Sequence, residues 1–305
     1  MADHMNIASR VLRDVAPFVA QQPGVAGLST PIPRLKVWSS TRPTPPAPAM
    51  FEPMFYAVLG GTKVLTIGET RFELTAGDCA AASFGMPYVS QLVRATQAAP
   101  YVAVSLALDT ALLIQVMLDM PKVDDRWVCS AAGSTLEGAV GEAFARLVGL
   151  LATPGDIAVL GPHHEAELYY RLLQSSMGDT LRQIGQRNSR LRQIKKAADW
   201  LCVNMNKPFI VAQLAEWAGM SLTSFHRHFK AVTGYSPIAF QRHLRLLEAR
   251  RLLVKGNINV SSAAYAVGYV STSQFSREYK RMFGGPPQAD LAGATKTLVE
   301  RSTVS

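Results

Sequence analysis

At 305 residues the chain is long enough for two domains of ordinary size, each with its own core. Hydrophobic residues make up 48% and charged residues 17%, a balance that excludes a disordered chain. The net charge of +9 is unevenly spread, −4 over residues 1–180 and +13 over residues 181–305, so only the second part suits a polyanionic partner.

From its start the chain reads as a short helix over 6–20, a turn-rich connector from Pro23 to Pro33, and a Pro-rich extended loop over 34–50. From 51 to 108 the apolar period changes to two. Residues 54–59, 62–67, 71–74, 79–83, 89–93 and 101–108 read as strands, separated by Gly60-Gly61, Gly68-Glu69, Ala76-Gly77-Asp78 and Gly85-Met86-Pro87. Short strands at such close spacing predict a small antiparallel barrel or jelly roll. The pattern then turns helical over 110–118, 136–151, 164–175 and 179–204. Asp124-Asp125 and residues 130–134 read as loops, and Pro154-Gly155-Asp156 breaks one helix from the next. A domain boundary is expected within 185–189, where Gly-Gln-Arg-Asn-Ser offers both a flexible turn and a helix cap.

Phe72-x-Leu74-x-Ala76-Gly77-Asp78, followed by Gly85-Met86-Pro87-Tyr88, resembles the hairpin of cupin barrels. Metal-binding cupins carry histidines on these strands. This chain has none between His4 and His163, and Tyr88 stands about where one ligand would be. The resemblance supports a barrel and argues against a metal enzyme, so neither a metal nor another cofactor is expected. With Thr44-Pro45-Pro46 and Tyr101-x-Ala103-x-Ser105-x-Ala107-Leu108-Asp109, the segment also resembles the N-terminal sensor domain of one branch of AraC-type regulators. A small barrel followed by helices can enclose a ligand. Phe51, Phe55, Tyr56, Phe84 and Tyr88 are candidates for its wall, Phe55, Tyr56 and Tyr88 foremost; ordinary core is the competing reading for each. Cys79 is either an electrophile or redox sensor or an inert core thiol.

The most informative stretch comes last, where the chain says nearly the same thing twice. Ala218-Gly219-Met220-Ser221-Leu222-Thr223-Ser224-Phe225-His226-Arg227-His228-Phe229-Lys230 is answered by Val267-Gly268-Tyr269-Val270-Ser271-Thr272-Ser273-Gln274-Phe275-Ser276-Arg277-Glu278-Tyr279-Lys280. Phe225 and Phe275, Arg227 and Arg277, Lys230 and Lys280, and Pro237 and Pro287 each stand 50 apart. Such a repeat means two copies of one supersecondary unit, here helix, turn, helix. Gly219 and Gly268 end the first helices, and Ser221 and Ser271 cap the second. Phe225/Phe229 and Phe275/Tyr279, four apart, define buried faces. The opposite faces carry Thr223, His226, Arg227 and Lys230, and Thr272, Ser273, Ser276, Arg277 and Lys280. Those side chains suit base edges and phosphates. One such face is also what a solvated helix shows, but two matched copies favour an interface. Ser236-Pro237 opens a helix to about Val254, a strut of roughly 27 Å between the copies.

Residues from about 192 to 290 resemble the double helix-turn-helix DNA-binding domain of AraC/XylS-type transcription regulators. The resemblance implies that the second helix of each copy enters the major groove. Thr223, His226, Arg227, Thr272, Ser273, Ser276 and Arg277 are then the base-reading candidates. It also implies double-stranded promoter DNA as partner, a small-molecule effector, a homodimer, and RNA polymerase as a further partner if the protein activates.

Other chemistry is sparse. His163-His164-Glu165-Ala166-Glu167 lacks the H-E-x-x-H spacing and reads as a polar helix start after Pro162. Neither G-x-S-x-G nor G-x-x-x-x-G-K-[ST] occurs. Three scattered cysteines without C-x-x-C, no signal-peptide pattern and no long apolar run point to a cytoplasmic protein with reduced thiols and no membrane partner. The expected architecture is α+β: a cupin-like β-barrel with helices over 1–180 for sensing and dimerisation, and an all-α double helix-turn-helix domain over 181–305 for DNA. The competing readings are a metal-free cupin-type enzyme and a non-specific architectural DNA binder.

Overall fold

The structure, a computed structural model, describes residues 6–21, 27–121, 128–185, 190–254 and 258–289. Pro23, Asp124-Asp125 and residues 186–189 of the expected boundary lie outside the described residues. The chain separates into two units, Met1–Pro45 with Met50–Arg192, and Pro46–Ala49 with Gln193–Ser305.

The two-residue period of the first part is met by ten strands among the described residues: β1 (Leu28–Ser29), β2 (Leu35–Ser40), β3 (Ala47–Met50), β4 (Met54–Gly60), β5 (Thr62–Ile67), β6 (Thr70–Thr75), β7 (Asp78–Ala82), β8 (Pro87–Arg94), β9 (Tyr101–Ala107) and β10 (Ala131–Thr135). They form a six-stranded sheet, β1-β2-β9-β4-β7-β10, and a four-stranded sheet, β3-β8-β5-β6. Period-two alternation gives the six-stranded sheet two different faces. Phe55, Ala57, Leu59, Cys79, Val102, Val104 and Leu106 join one buried cluster with the helices. Their neighbours point the other way, and register places Tyr56 opposite Ser105 and Trp38 opposite Ala103.

The helices of this unit are α1 (Ile7–Gln21), α2 (Thr110–Leu118), α3 (Gly138–Gly149), α4 (Ile157–Gln174) and α5 (Gly178–Arg182). Asp109 caps α2 by accepting from the amides of Ala111 and Leu112. Phe144 of α3 meets Phe55 edge-on at 5.1 Å, which seats the helix on the sheet. Beside it, Arg34 donates to both Glu165 carboxylate oxygens at 2.7 and 2.8 Å. The Tyr169 hydroxyl donates to Glu165 and accepts from the Asp109 amide at 2.7 Å. This polar knot ties β2, α2 and α4 together.

Several expectations are corrected here. The stretch 34–50 is not all loop, because it contains β2 and β3, and 130–134 falls largely in β10, paired along β7. Helix α4 begins at Ile157 and carries Pro162 inside it, so no helix starts after that proline. Pro162 gives up one backbone donor there. The single helix expected over 179–204 is divided into α5 and a separate α6 (Arg190–Val203). Helix α3 buries Val140, Ala143, Phe144, Leu147 and Val148 in its own unit.

The second unit contains α6, α7 (Val211–Trp217), α8 (Leu222–Thr233), α9 (Pro237–Val254), α10 (Val260–Ala266) and α11 (Thr272–Phe283). Pro237 does open α9, with the Ser236 hydroxyl accepting from the Ala239 amide at 3.3 Å. Phe275, Tyr279 and Phe283 of α11 pack with Leu246, Ala249 and Leu253 of α9 in one cluster. In the other copy Phe229 meets Phe240 of α9 edge-on at 5.4 Å. Among the described residues no single helix is long and apolar enough to cross a membrane.

Candidate functional site

Helices α8 and α11 are built alike from end to end. The Ser221 hydroxyl accepts from the Ser224 amide and the Ser271 hydroxyl from the Gln274 amide, both at 3.3 Å. Gly234 and Gly284 end the helices in left-handed conformation, φ 78° and 79°. The preceding turns match too: Met220 donates to the Ala215 carbonyl at 2.9 Å and Tyr269 to that of Ala264 at 3.0 Å. Phe225, Phe229, Phe275 and Tyr279 are fully buried, as their spacing requires.

The opposite faces are open. Thr223, Arg227, Lys230, Ser273, Arg277 and Lys280 are exposed, and His226, Thr272 and Ser276 are half-buried. His226, Arg227 and Lys230 line one shallow hollow with Ala231 and Ser236. Helix α8 contains no acidic residue, and α11 contains one, Glu278. Glu278 accepts from the Tyr269 hydroxyl at 2.6 Å and lies 3.6 Å from Arg242. Its charge is therefore compensated away from the outward face, leaving cations and hydroxyls to meet an anion. Sequence reasoning missed Val270, which is 92% exposed at the head of α11, because an apolar residue in a turn reads as core. His228 is buried and the His243 ring lies 4.5 Å from that of Tyr235, tilted by 54°, so both are packing residues.

Arg245 of α9 joins the two copies. It donates to the carbonyls of Met205 at 2.5 Å, Lys207 at 3.2 Å and Gly268 at 3.0 Å. Gln241 donates to the Lys207 carbonyl as well, at 2.7 Å. The chain before α7 is thereby fixed to the turn before α11.

In the first unit Tyr56 and Tyr88 come together while Phe55 does not join them. Tyr56 and Tyr101 share a hydrogen bond through their hydroxyls, and Lys63 donates to Tyr56 at 3.1 Å. Phe51 stacks on Tyr88 at 3.9 Å. Phe55 points to the helices and Phe84 is buried. Burial works against the charge on Lys63, but Tyr56 and Tyr88 favour it, and the ammonium titrates above its ordinary value. Burial pushes Tyr101 well above the usual phenol range, and Tyr88 upward too. Sequence reasoning missed Lys63, since a lone lysine in a strand ordinarily marks the solvent face.

The remaining candidates prove structural. Cys79 is fully buried, and burial, with Asp78 adding to it, pushes its thiol up to about 12. Glu165 is held by Arg34, and Glu167 accepts from Arg146 at 2.6 and 3.1 Å. Among the described residues no cluster of histidine, cysteine and carboxylate has metal-binding geometry.

Comparison with known proteins finds two family matches. A family model for the AraC-type transcriptional regulator N-terminus matches residues 31–180, and one for a helix-turn-helix domain matches residues 214–292. The transcriptional activator RhaS of Pectobacterium carotovorum is 31% identical over 90 residues, 30% of this chain and 32% of its own length. The virulence regulon transcriptional activator VirF of Yersinia enterocolitica is 33% identical over 137 residues, 43% of this chain and 48% of its own length. This chain thus spans a third to a half of these relatives. Among solved structures, ToxT of Vibrio cholerae with bound unsaturated fatty acid matches at a TM-score of 0.52, 11% identity, 88% of this chain and 96% of that one. At that identity the likeness concerns the fold alone.

Proposed function

The chain belongs to the AraC-type family of transcription regulators, and on that premise we propose that it reads promoter DNA with its second part and senses a small molecule with its first. The observation that carries the reading is the doubled helix: α8 and α11 share cap, terminator, buried aromatic pair and basic outward face at a spacing of 50 residues. Thr223, His226, Arg227, Thr272, Ser273, Ser276 and Arg277 meet base edges in the major groove, while Lys230 and Lys280 meet phosphates. Residues 181–305 form the DNA-binding domain and residues 1–180 the sensing and pairing domain. Two chains on paired sites multiply affinity through effective concentration, which makes a homodimer the working form. RhaS and VirF are named as activators, and activation makes RNA polymerase the further partner. The effector belongs between the two sheets with Tyr56 and Tyr88, and Phe55 drops out of that wall. It acts by preferring one arrangement of the protein over another.

The test compares binding of the full chain to the promoter upstream of its own gene with binding to random DNA of equal length. Arg227→Ala and Arg277→Ala each weaken promoter binding by about 1–3 kcal/mol and relax sequence preference at one position. Lys230→Ala weakens both DNAs alike and flattens the salt dependence. Equal loss on both DNAs for Arg227→Ala removes it from the base-reading set. A wild-type chain with no preference for the promoter is an architectural binder instead.

A further inference from the structure

Of the side chains facing the space between the two sheets, Tyr56, Val58, Tyr101, Ala103 and Ser105 are buried, and a second set is only partly covered. Trp38, Lys63, Ala80, Tyr88 and Ser90 remain half-buried, whereas Phe55, Ala57, Cys79 and Val104 on the helix side are 0% exposed. Lys63 of β5 reaches across to Tyr56 of β4 and lies 4.4 Å from its ring centre, so the two sheets meet at this lysine. The space is polar at this end.

The hydrogen-bond inventory at that end is one-sided. A lysine ammonium has three donors and no acceptor. One goes to Tyr56, and the other two meet no protein acceptor among the described residues. Tyr56 and Tyr101 share one hydrogen bond, so whichever hydroxyl donates, one phenolic hydrogen remains. The Trp38 N–H is already given to Ser105 at 2.8 Å. Unspent donors thus converge beside a cation that has no carboxylate partner among the described residues. Burying a charge without a counter-ion is costly, and a ligand that supplies one recovers that cost.

We propose that the space between the sheets binds a singly charged carboxylate joined to an apolar body, with Lys63 as its counter-ion and the Tyr56–Tyr101 pair as hydroxyl donor. A carboxylate accepts hydrogen bonds and donates none, which complements the unspent N–H and O–H groups. One cation balances one negative charge, so a phosphate dianion is the poorer occupant. The Phe51–Tyr88 stack and the half-buried Trp38 ring supply an aromatic wall for the apolar body. This rests on the reading that the first part of the chain holds the effector, and it names the chemical class.

The test is calorimetric titration of the full chain with 4-phenylbutanoate and with its neutral twin 4-phenylbutanamide. The acid is expected to bind at least about tenfold more tightly than the amide. Lys63→Met removes that preference, Lys63→Arg keeps it, and Tyr101→Phe weakens the acid alone. Equal binding of acid and amide, or a preference that survives in Lys63→Met, overturns the carboxylate assignment while leaving a ligand site between the sheets. Tighter binding of phenyl phosphate than of the acid overturns it in favour of a dianion. If neither twin binds, this proposal and the effector site between the sheets both fall, whereas promoter binding stays untouched.

Discussion

The two turn glycines, Gly219 and Gly268, occupy equivalent places in the repeat yet should respond unequally to one added methyl group. Both have left-handed backbone, φ 64° and 87°, where an alanine costs about 1–2 kcal/mol from its own Cβ. At Gly219 a Cβ meets nothing within 4 Å, so Gly219→Ala is expected to cost about that much and no more. At Gly268 the Cβ would lie 2.2 Å from the Asn206 carbonyl oxygen and 2.9 Å from its carbon. Those are backbone atoms with little freedom, because Arg245 and Gln241 hold the carbonyls on either side of Asn206. Moving them adds an overpacking cost of about 1–3 kcal/mol, for a total of about 2–5 kcal/mol. The assay is urea unfolding of the full chain followed by far-ultraviolet circular dichroism, with the two variants measured beside wild type. Equal losses, or a larger loss for Gly219→Ala, would refute the contact between the second turn and the chain before α7.

Three further outcomes are expected. Phe225→Ala and Phe275→Ala remove fully buried rings and should each cost about 3–5 kcal/mol; a loss below about 1 kcal/mol in the same unfolding assay would mean the helix faces are inverted. His243 is held below its ordinary value of 6.5 by burial, with Arg242 and Arg281 adding to it, although its contact with the Ala239 carbonyl acts the other way. Above pH 6.5 the ring is neutral in folded and unfolded chains alike, and as the pH drops the unfolded chain takes the proton first. Stability should therefore fall below pH 6.5 until the folded value is passed, and His243→Gln should flatten that limb of the melting profile; an unchanged slope speaks against it. Cys79, with its thiol pushed up to about 12, should stay unlabelled by iodoacetamide at neutral pH until the chain unfolds, as read by mass spectrometry. Rapid labelling of the native protein would restore it as a sensor.

Local signals were strong enough to be read directly from the amino acids wherever one short segment contains its own instructions. The strand Thr62–Ile67 and the helix Thr110–Leu118 stand where the periodicity puts them. The Ser221 and Ser271 caps and the buried faces of α8 and α11 follow from residues a few positions apart, and the repeat doubles the signal. Elsewhere the deciding partner is distant in sequence. Ala131–Thr135 has no period of its own and becomes a strand by pairing with Asp78–Ala82, and Glu165 becomes an ion-pair residue only when Arg34 reaches it. Strand phase is the clearest case. Phe55 and Tyr56 are adjacent aromatics of equal promise, and alternation sends one to the helices and the other to the space between the sheets. Lys63 looks like a solvent-facing residue until a second sheet covers its face and leaves its charge among phenols. A strand's sequence states that its two faces differ, but which face is enclosed is settled only by the sheet that packs against it.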